Sequence, residues 1–328
     1  MSILANPAGH RAPGTSGPAE HHNLVGARLP DRTAHAGGRG PLGRGLLSLS
    51  RPGQWHKNAL VVTAPAAAGI LDRAGVLANT ALLLVAFIAA SSAVYAVNDV
   101  RDAALDRGHP RKRYRPVAAG LVSPTVALGW AALSSMLAIG LAAYLGASTL
   151  GVVASYLALS VAYTLWLKHV AVLDVVAVAT GFLLRALAGA AANHLPVSNW
   201  FLLVALFGSL YLVAGKRVAE TQRMGSDHVT RPVLNAYPAV WLQQVLTLAL
   251  AGTVISYAMW AFQYLGTDVF RPLLAASVLP FLVALLRYGL LLSQGGGERP
   301  ESLLLRDLTL VAAGGTWAAI VGASLYLA

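Results

Sequence analysis

Asn98-Asp99-Val100-Arg101-Asp102-Ala103-Ala104-Leu105-Asp106 is the densest acidic cluster in the chain. On a helix advancing about 100° per residue, Asp99 and Asp106 lie about 20° apart and Asp102 about 60° from Asp99. All three project from one face, where like charges repel unless a cation lies between them. Hard oxygen donors in this number suit Mg²⁺, which keeps waters and shares its shell with substrate phosphates. The alternative is a solvated helix end held by nearby arginines. The chain continues Arg107-Gly108-His109-Pro110-Arg111-Lys112-Arg113-Tyr114-Arg115-Pro116. Basic side chains packed this close to three carboxylates point to a polyanion held partly by metal and partly by cations.

The elements that must position these groups are apolar. Of 328 residues, 56% are hydrophobic and 11% charged, whereas a soluble domain is about a quarter charged. The apolar residues come in long blocks separated by short basic segments, which excludes a soluble globular enzyme. The absence of Cys excludes a disulfide framework, Cys-ligated zinc, iron–sulfur clusters and thiol nucleophiles. A net charge of +11 would suit nucleic acid only if the basic residues lined soluble elements. They lie between apolar blocks instead, so no nucleic-acid partner is expected. The reading is an all-α polytopic membrane protein.

At about 20 apolar residues per span, candidate helices are 56–71, 76–98, 122–145, 148–167, 171–192, 198–215, 238–264, 271–293 and 303–327. Residues 1–45, with nine Gly and five Pro, have no apolar period and read as a disordered tail, leaving 46–328 as the nine-helix domain. Cytoplasmic loops are enriched in Lys and Arg. With nine spans, 21 of the 24 basic residues fall on one side and only Arg73 and Arg271 on the other. Arg185 lies inside a span. This asymmetry puts the N-terminus in the cytoplasm of a multi-pass plasma-membrane protein and the C-terminus outside.

Asn98-Asp99-x-x-Asp102-x-x-x-Asp106, followed by His109-Pro110-x-Lys112-x-x-Arg115-Pro116, resembles the first signature of the UbiA superfamily of intramembrane prenyltransferases. Arg51-Pro52-x-Gln54-Trp55-x-Lys57-Asn58 resembles the opening of that family's first helix. Tyr163-x-x-x-x-Lys168, Leu173-Asp174 and Gly181-Phe182-x-Leu-Arg185 resemble its fourth-to-fifth helix segment. The resemblance covers about residues 47–328. It implies a nine-helix bundle whose aspartates bind a substrate diphosphate through Mg²⁺ at the cytoplasmic side. Charges within apolar spans are expensive unless they face a polar cavity, so Asp174 and Arg185 read as cavity-lining or as a structural pair between helices.

One departure is informative. Where typical members carry a second aspartate motif, this chain reads Gly215-Lys216-Arg217-Val218-Ala219-Glu220. That resembles the branch which transfers phosphoribosyl groups to decaprenyl phosphate in actinobacterial cell-wall synthesis. The resemblance implies phosphoribosyl pyrophosphate as donor and polyprenyl (decaprenyl) phosphate, held in the lipid bilayer, as acceptor. Two anions meet, so cations replace carboxylates. On this reading Asp99, Asp102 and Asp106 are the metal-binding and catalytic residues, and Asn98, Lys112 and Arg115 hold the donor. Lys57, Asn58, Tyr163, Lys168, Arg185, Lys216, Arg217 and Glu220 line the rest of the substrate site. A prenyltransferase acting on an aromatic or haem acceptor is the nearest rival, a transporter or a membrane scaffold the more distant ones. Self-association stays open.

Overall fold

The computed structural model describes residues 42–222, 232–263, 272–295 and 306–327, and among them there is no β-strand. Helix α1 (Leu42–Leu49) starts inside the stretch expected to be a tail, so the boundary at 45 falls within a helix. Residues 1–41 lie outside the described residues.

The first expected span, 56–71, does not form as one α-helix. A 3-10 helix runs over Pro52–Val62, followed by the short α2 (Thr63–Ala67). A 3-10 helix rises about 2.0 Å per residue against 1.5 Å in an α-helix. The two pieces, 11 and 5 residues long, therefore reach roughly 30 Å, the thickness of a hydrocarbon core. The reason for the thin helix is its neighbour. A Cβ built on Gly189 would stand 2.0 Å from the Val61 carbonyl oxygen, so the backbone of this segment lies directly on α6 (Leu173–Ala192).

Eight helices among the described residues are long and apolar enough to cross a membrane. They are α3 (Ala74–Arg107), α4 (Pro124–Leu145), α5 (Ala147–Leu165), α6, α7 (Asn199–Gln222), α8 (Ala239–Phe262), α9 (Pro272–Ala276) continued by α10 (Val278–Ser293), and α11 (Leu308–Tyr326). Between helices in lipid there is little hydrophobic drive, and small residues let backbones approach. Buried Ala127, Ala131, Ser134, Ala138 and Ala142 recur along α4 at helical spacing. They meet the alanine-rich face of α3 around Ala89, Ala90, Ala93 and Ala96.

Helix α3 is longer than the expected 76–98 and carries its acidic cluster on its last turns. Up-and-down connection brings the C-termini of α3, α5 and α7 to the same end as the N-termini of α4 and α6. Ser123 starts α4 by accepting the Val126 N–H at 3.3 Å. Arg101 donates to the Leu165 carbonyl at 3.1 Å, tying α3 to α5. Asp307 caps α11 through the Leu310 N–H at 3.0 Å and accepts from Arg287 of α10 at 2.8 Å.

Gly189→Ala is expected to be among the most damaging single-methyl additions in the protein, because the obstacle is backbone rather than a flexible side chain. Overpacking costs typically 1–3 kcal/mol. Thermal unfolding in detergent should show a clearly lowered midpoint, whereas Gly140→Ala, with open space at its Cβ, should leave the midpoint unchanged.

Candidate active site

Three polar clusters among the described residues contain expected site residues, and α3 runs past two of them. Ser91, Tyr95 and Asp99 follow one another at i, i+4 spacing, so they form a single stripe that descends about 12 Å at 1.5 Å per residue.

The first cluster closes the C-terminal end of α3. Asp99 and Asp106 are nearly inaccessible, at 1% and 3% exposure, although the helix end is otherwise exposed. Arg115 donates to Asp106 Oδ2 at 2.8 Å and stands 3.6 Å from Asp99 Oδ1. Arg51 donates to the same Asp99 Oδ1, its guanidinium carbon 4.6 Å from the Tyr95 ring centroid. Asp99 Oδ2 is buried and has no hydrogen-bond partner among the described residues. A buried carboxylate oxygen left without a partner is costly, and a hard cation is the partner its chemistry suits.

The loop after α3 is built to deliver Arg115. Burial, with Lys112 nearby, holds His109 below the ordinary histidine range. The imidazole is therefore neutral at pH 7, and Nδ1 accepts the N–H groups of Arg111 and Lys112 at 3.1 and 3.2 Å. That folds the chain back through a 3-10 turn, Lys112–Tyr114. Arg115 then begins the return toward α4, with Pro116 fixing the next step of the backbone.

Asp102 does not join Asp99 and Asp106. It pairs with Lys168 at 3.0 Å, on the 3-10 turn Leu167–His169 that links α5 and α6. Among the described residues no three carboxylate or imidazole groups converge on one point. The expected triad is thus a pair plus one. The 60° offset of Asp102 on the helix wheel carries it toward the next helices.

The second cluster joins α6 to α7. Asp174, fully buried in the first turn of α6, accepts Arg217 Nε at 2.9 Å and Nη2 at 3.0 Å. Tyr163 also donates to it, at 2.8 Å. Arg217 is 2% exposed and donates its remaining arm to Glu220 at 2.6 Å. Three of the donors of Arg217, expected to meet substrate phosphate, serve carboxylates of this chain. The arrangement also separates Asp174 from Arg185, which do not pair. Val172, at φ 69°, turns the chain into α6, and its N–H donates to the Tyr237 hydroxyl at 2.9 Å. A β-branched residue in that region is strained, and the strain places Asp174 where α6 begins.

The third cluster lies deeper. Arg185 on α6 donates to Asn58 Oδ1 at 2.9 Å, the Gly181 carbonyl at 2.8 Å, the Tyr156 hydroxyl at 2.9 Å and Ser91 at 3.4 Å. Its guanidinium sits 4.6 Å from the Tyr156 ring and less than 6 Å from those of Phe182 and Phe87. None of these partners carries a negative charge. A buried Arg with only neutral partners keeps a positive potential in a low-dielectric setting.

Of the remaining expected site residues, Asn98 is half-buried on α3 beside Asp99, Lys57 on the 3-10 helix beside Asn58, Lys112 beside the His109 turn, and Lys216 beside Arg217. Sequence reasoning missed Arg51, Tyr95, Ser91 and Tyr156 as members of the site. Ser91 and Tyr95 were legible as the i, i+4 continuation of Asp99. Arg51, 48 residues away in the chain, had no such signal.

The sequence pattern of the UbiA prenyltransferase family matches residues 59–323. The chain is 40% identical over 296 residues to decaprenyl-phosphate phosphoribosyltransferase of Mycolicibacterium smegmatis, covering 86% of this chain and 92% of that protein. It is 38% identical over 296 residues to the enzyme of the same name in Corynebacterium glutamicum, covering 87% and 88%. Among solved structures, a UbiA homolog from Archaeoglobus fulgidus bound to GPP and Mg²⁺ superposes with a TM-score of 0.62 at 19% identity, covering 87% of this chain and 100% of that one.

Proposed function

The chain belongs to the UbiA prenyltransferase family, and from that premise we propose that it transfers the 5-phosphoribosyl group of phosphoribosyl pyrophosphate to polyprenyl (decaprenyl) phosphate and releases pyrophosphate. Near full-length identity of about 40% to enzymes named for this activity supports the choice within the family. The observation that carries the site is the buried pair Asp99 and Asp106 clasped by Arg51 and Arg115, with Asp99 Oδ2 left for a metal.

Asp99 and Asp106 would hold a divalent cation, assigned as Mg²⁺, with Asp102 in support. Once bound, such a cation neutralises pyrophosphate as it leaves. Arg115 and Lys112 grip donor phosphates, Arg bidentately and Lys as a point charge. Asn98, next to Asp99 on α3, would orient a ribose hydroxyl of the donor or a water held by the cation. Lys57, Lys168, Lys216 and Arg185 draw the acceptor phosphate toward the donor, and Asn58 fixes the orientation of Arg185. Tyr163 and Glu220 act through Asp174 and Arg217, which lock α6 against α7.

In the reaction an oxygen of the lipid phosphate bonds to the anomeric carbon as the carbon–oxygen bond to pyrophosphate breaks, and the electron pair leaves with pyrophosphate. Single displacement inverts that carbon. The phosphate nucleophile is already ionised at pH 7, so no strong base is needed. The site opens to the cytoplasm in a plasma membrane, with the stretched 52–67 segment as the ninth span, an assignment supported by the basic loops.

Purified protein in lipid vesicles, given labelled phosphoribosyl pyrophosphate and decaprenyl phosphate, should form a labelled lipid that depends on Mg²⁺ and disappears with EDTA. Prenyl transfer from a prenyl diphosphate to 4-hydroxybenzoate, with no labelled phosphoribosyl lipid, would replace this reading with the other family chemistry.

A further inference from the structure

Arg51 occupies a backbone position that arginine does not choose by itself. Its φ is 48° and ψ 66°, the left-handed region that L-residues other than Gly avoid. The next residue is Pro52, which ordinarily forces its predecessor into extended conformation. Strain of this kind persists where the surrounding structure over-determines it, and it clusters at functional sites. Here the contacts that fix it are the ion pair to Asp99 and the face of Tyr95.

The charge distribution around Asp99 is lopsided. Oδ1 faces both Arg51 and Arg115, while the buried Oδ2 has no hydrogen-bond partner among the described residues. A closed Arg–carboxylate pair normally spreads its two N–H groups over both oxygens, as Arg217 does with Asp174. The two cations also differ in how firmly they are tethered. Arg115 is anchored on Asp106 at 2.8 Å, whereas among the described residues Arg51 forms an ion pair with Asp99 alone, and its side chain is 25% exposed. Arg51 can leave.

We propose that Arg51 stands in for the divalent cation at Asp99, gives up that carboxylate when the metal arrives with the donor, and then grips the donor's pyrophosphate. The inference rests on the metal and donor assignment above. Metal alone would meet a guanidinium already paired with its ligand, and expelling it would strand a charge in a half-buried site. Metal arriving with pyrophosphate supplies the displaced guanidinium with a new bidentate anion, and Tyr95 offers a face for it to slide across. Metal and donor therefore bind together, which disfavours donor-free metal and metal-free donor alike.

The test compares wild type, Arg51→Gln, Arg51→Lys and Asp99→Asn in detergent, titrated with Mn²⁺ alone and with the preformed Mn²⁺–pyrophosphate complex. Electron paramagnetic resonance reads bound Mn²⁺, and thermal unfolding monitors the fold. Arg51→Gln is expected to bind Mn²⁺ alone about tenfold more tightly than wild type, yet the pyrophosphate complex at least fivefold more weakly. Arg51→Lys, which keeps the charge and loses the fork, should match wild type for Mn²⁺ and fall between for the complex. It also carries the comparison if Arg51→Gln does not fold. A variant that changes both affinities in the same direction, or neither, overturns the exchange. Failure of wild type to bind either probe any better than Asp99→Asn would instead overturn the metal assignment itself, and this inference with it.

Discussion

Asp99→Asn is expected to lower kcat by about a thousandfold or more while leaving the protein folded, a loss equivalent to about 4 kcal/mol of transition-state stabilisation. The side chain is isosteric and fully enclosed, so shape is preserved. What disappears is the negative charge that answers Arg51 and Arg115 and would answer the metal through Oδ2. Asp102→Asn should be milder, because Asp102 faces Lys168 and lies away from the buried pair. Its loss should appear as a higher Mg²⁺ requirement that added metal largely restores. Activity of both variants across an Mg²⁺ titration, with thermal unfolding in parallel, checks the ordering. A well-folded Asp99→Asn protein with ordinary activity would show that the carboxylate pair is structural. Equal losses at both positions that added Mg²⁺ does not relieve would restore Asp102 to a shared three-carboxylate site.

The acidic stripe was legible because an α-helix converts spacing into direction without help from the rest of the fold. Asp99 and Asp106 had to share a face, and they do. The same arithmetic, taken a step further, would have separated Asp102 from them, but only the location of Lys168 gave that separation meaning. Long apolar blocks fixed where most helices begin and end. At 56–71 the block forms a 3-10 helix followed by a short α-helix, with the Val61 carbonyl close against Gly189 of α6, an approach that a sequence does not reveal. Charge was the least legible property. Lys216-Arg217 reads as two cations lining the substrate site, yet Arg217 turns inward to Asp174, 43 positions earlier. Asp174 and Arg185 read as cavity-lining or as a pair between helices, and in the structure Asp174 meets Arg217 while Arg185 meets Asn58 and Tyr156. Pairing between helices depends on which faces meet, which local periodicity does not encode.

The Arg217–Asp174 pair leads to the second large effect, one on folding. Arg217→Ala removes the guanidinium that donates twice to the buried Asp174, while the Tyr163 hydroxyl still donates to it. Removing one partner of a buried ion pair costs roughly 3–5 kcal/mol, a large share of the 5–15 kcal/mol that typical proteins have in hand. The expected result is a sharp fall in folded yield and in the unfolding midpoint, before any question of substrate arises. Glu220→Gln should be mild by comparison, because Glu220 lies at the edge of the pair and Arg217 keeps Asp174. Asp174→Asn combined with Arg217→Gln removes both charges while keeping hydrogen-bonding groups of similar size. Replacing both members of a buried pair is often nearly neutral, so the double variant should recover most of the lost stability. Its KM values for phosphoribosyl pyrophosphate and decaprenyl phosphate should then stay within about threefold of wild type, since the pair's work is to hold α6 against α7. If the double variant folds as well as wild type but its KM for either substrate rises tenfold or more, about 1.4 kcal/mol, Arg217 grips phosphate after all, and the cations after α7 belong to the binding site as the sequence first suggested.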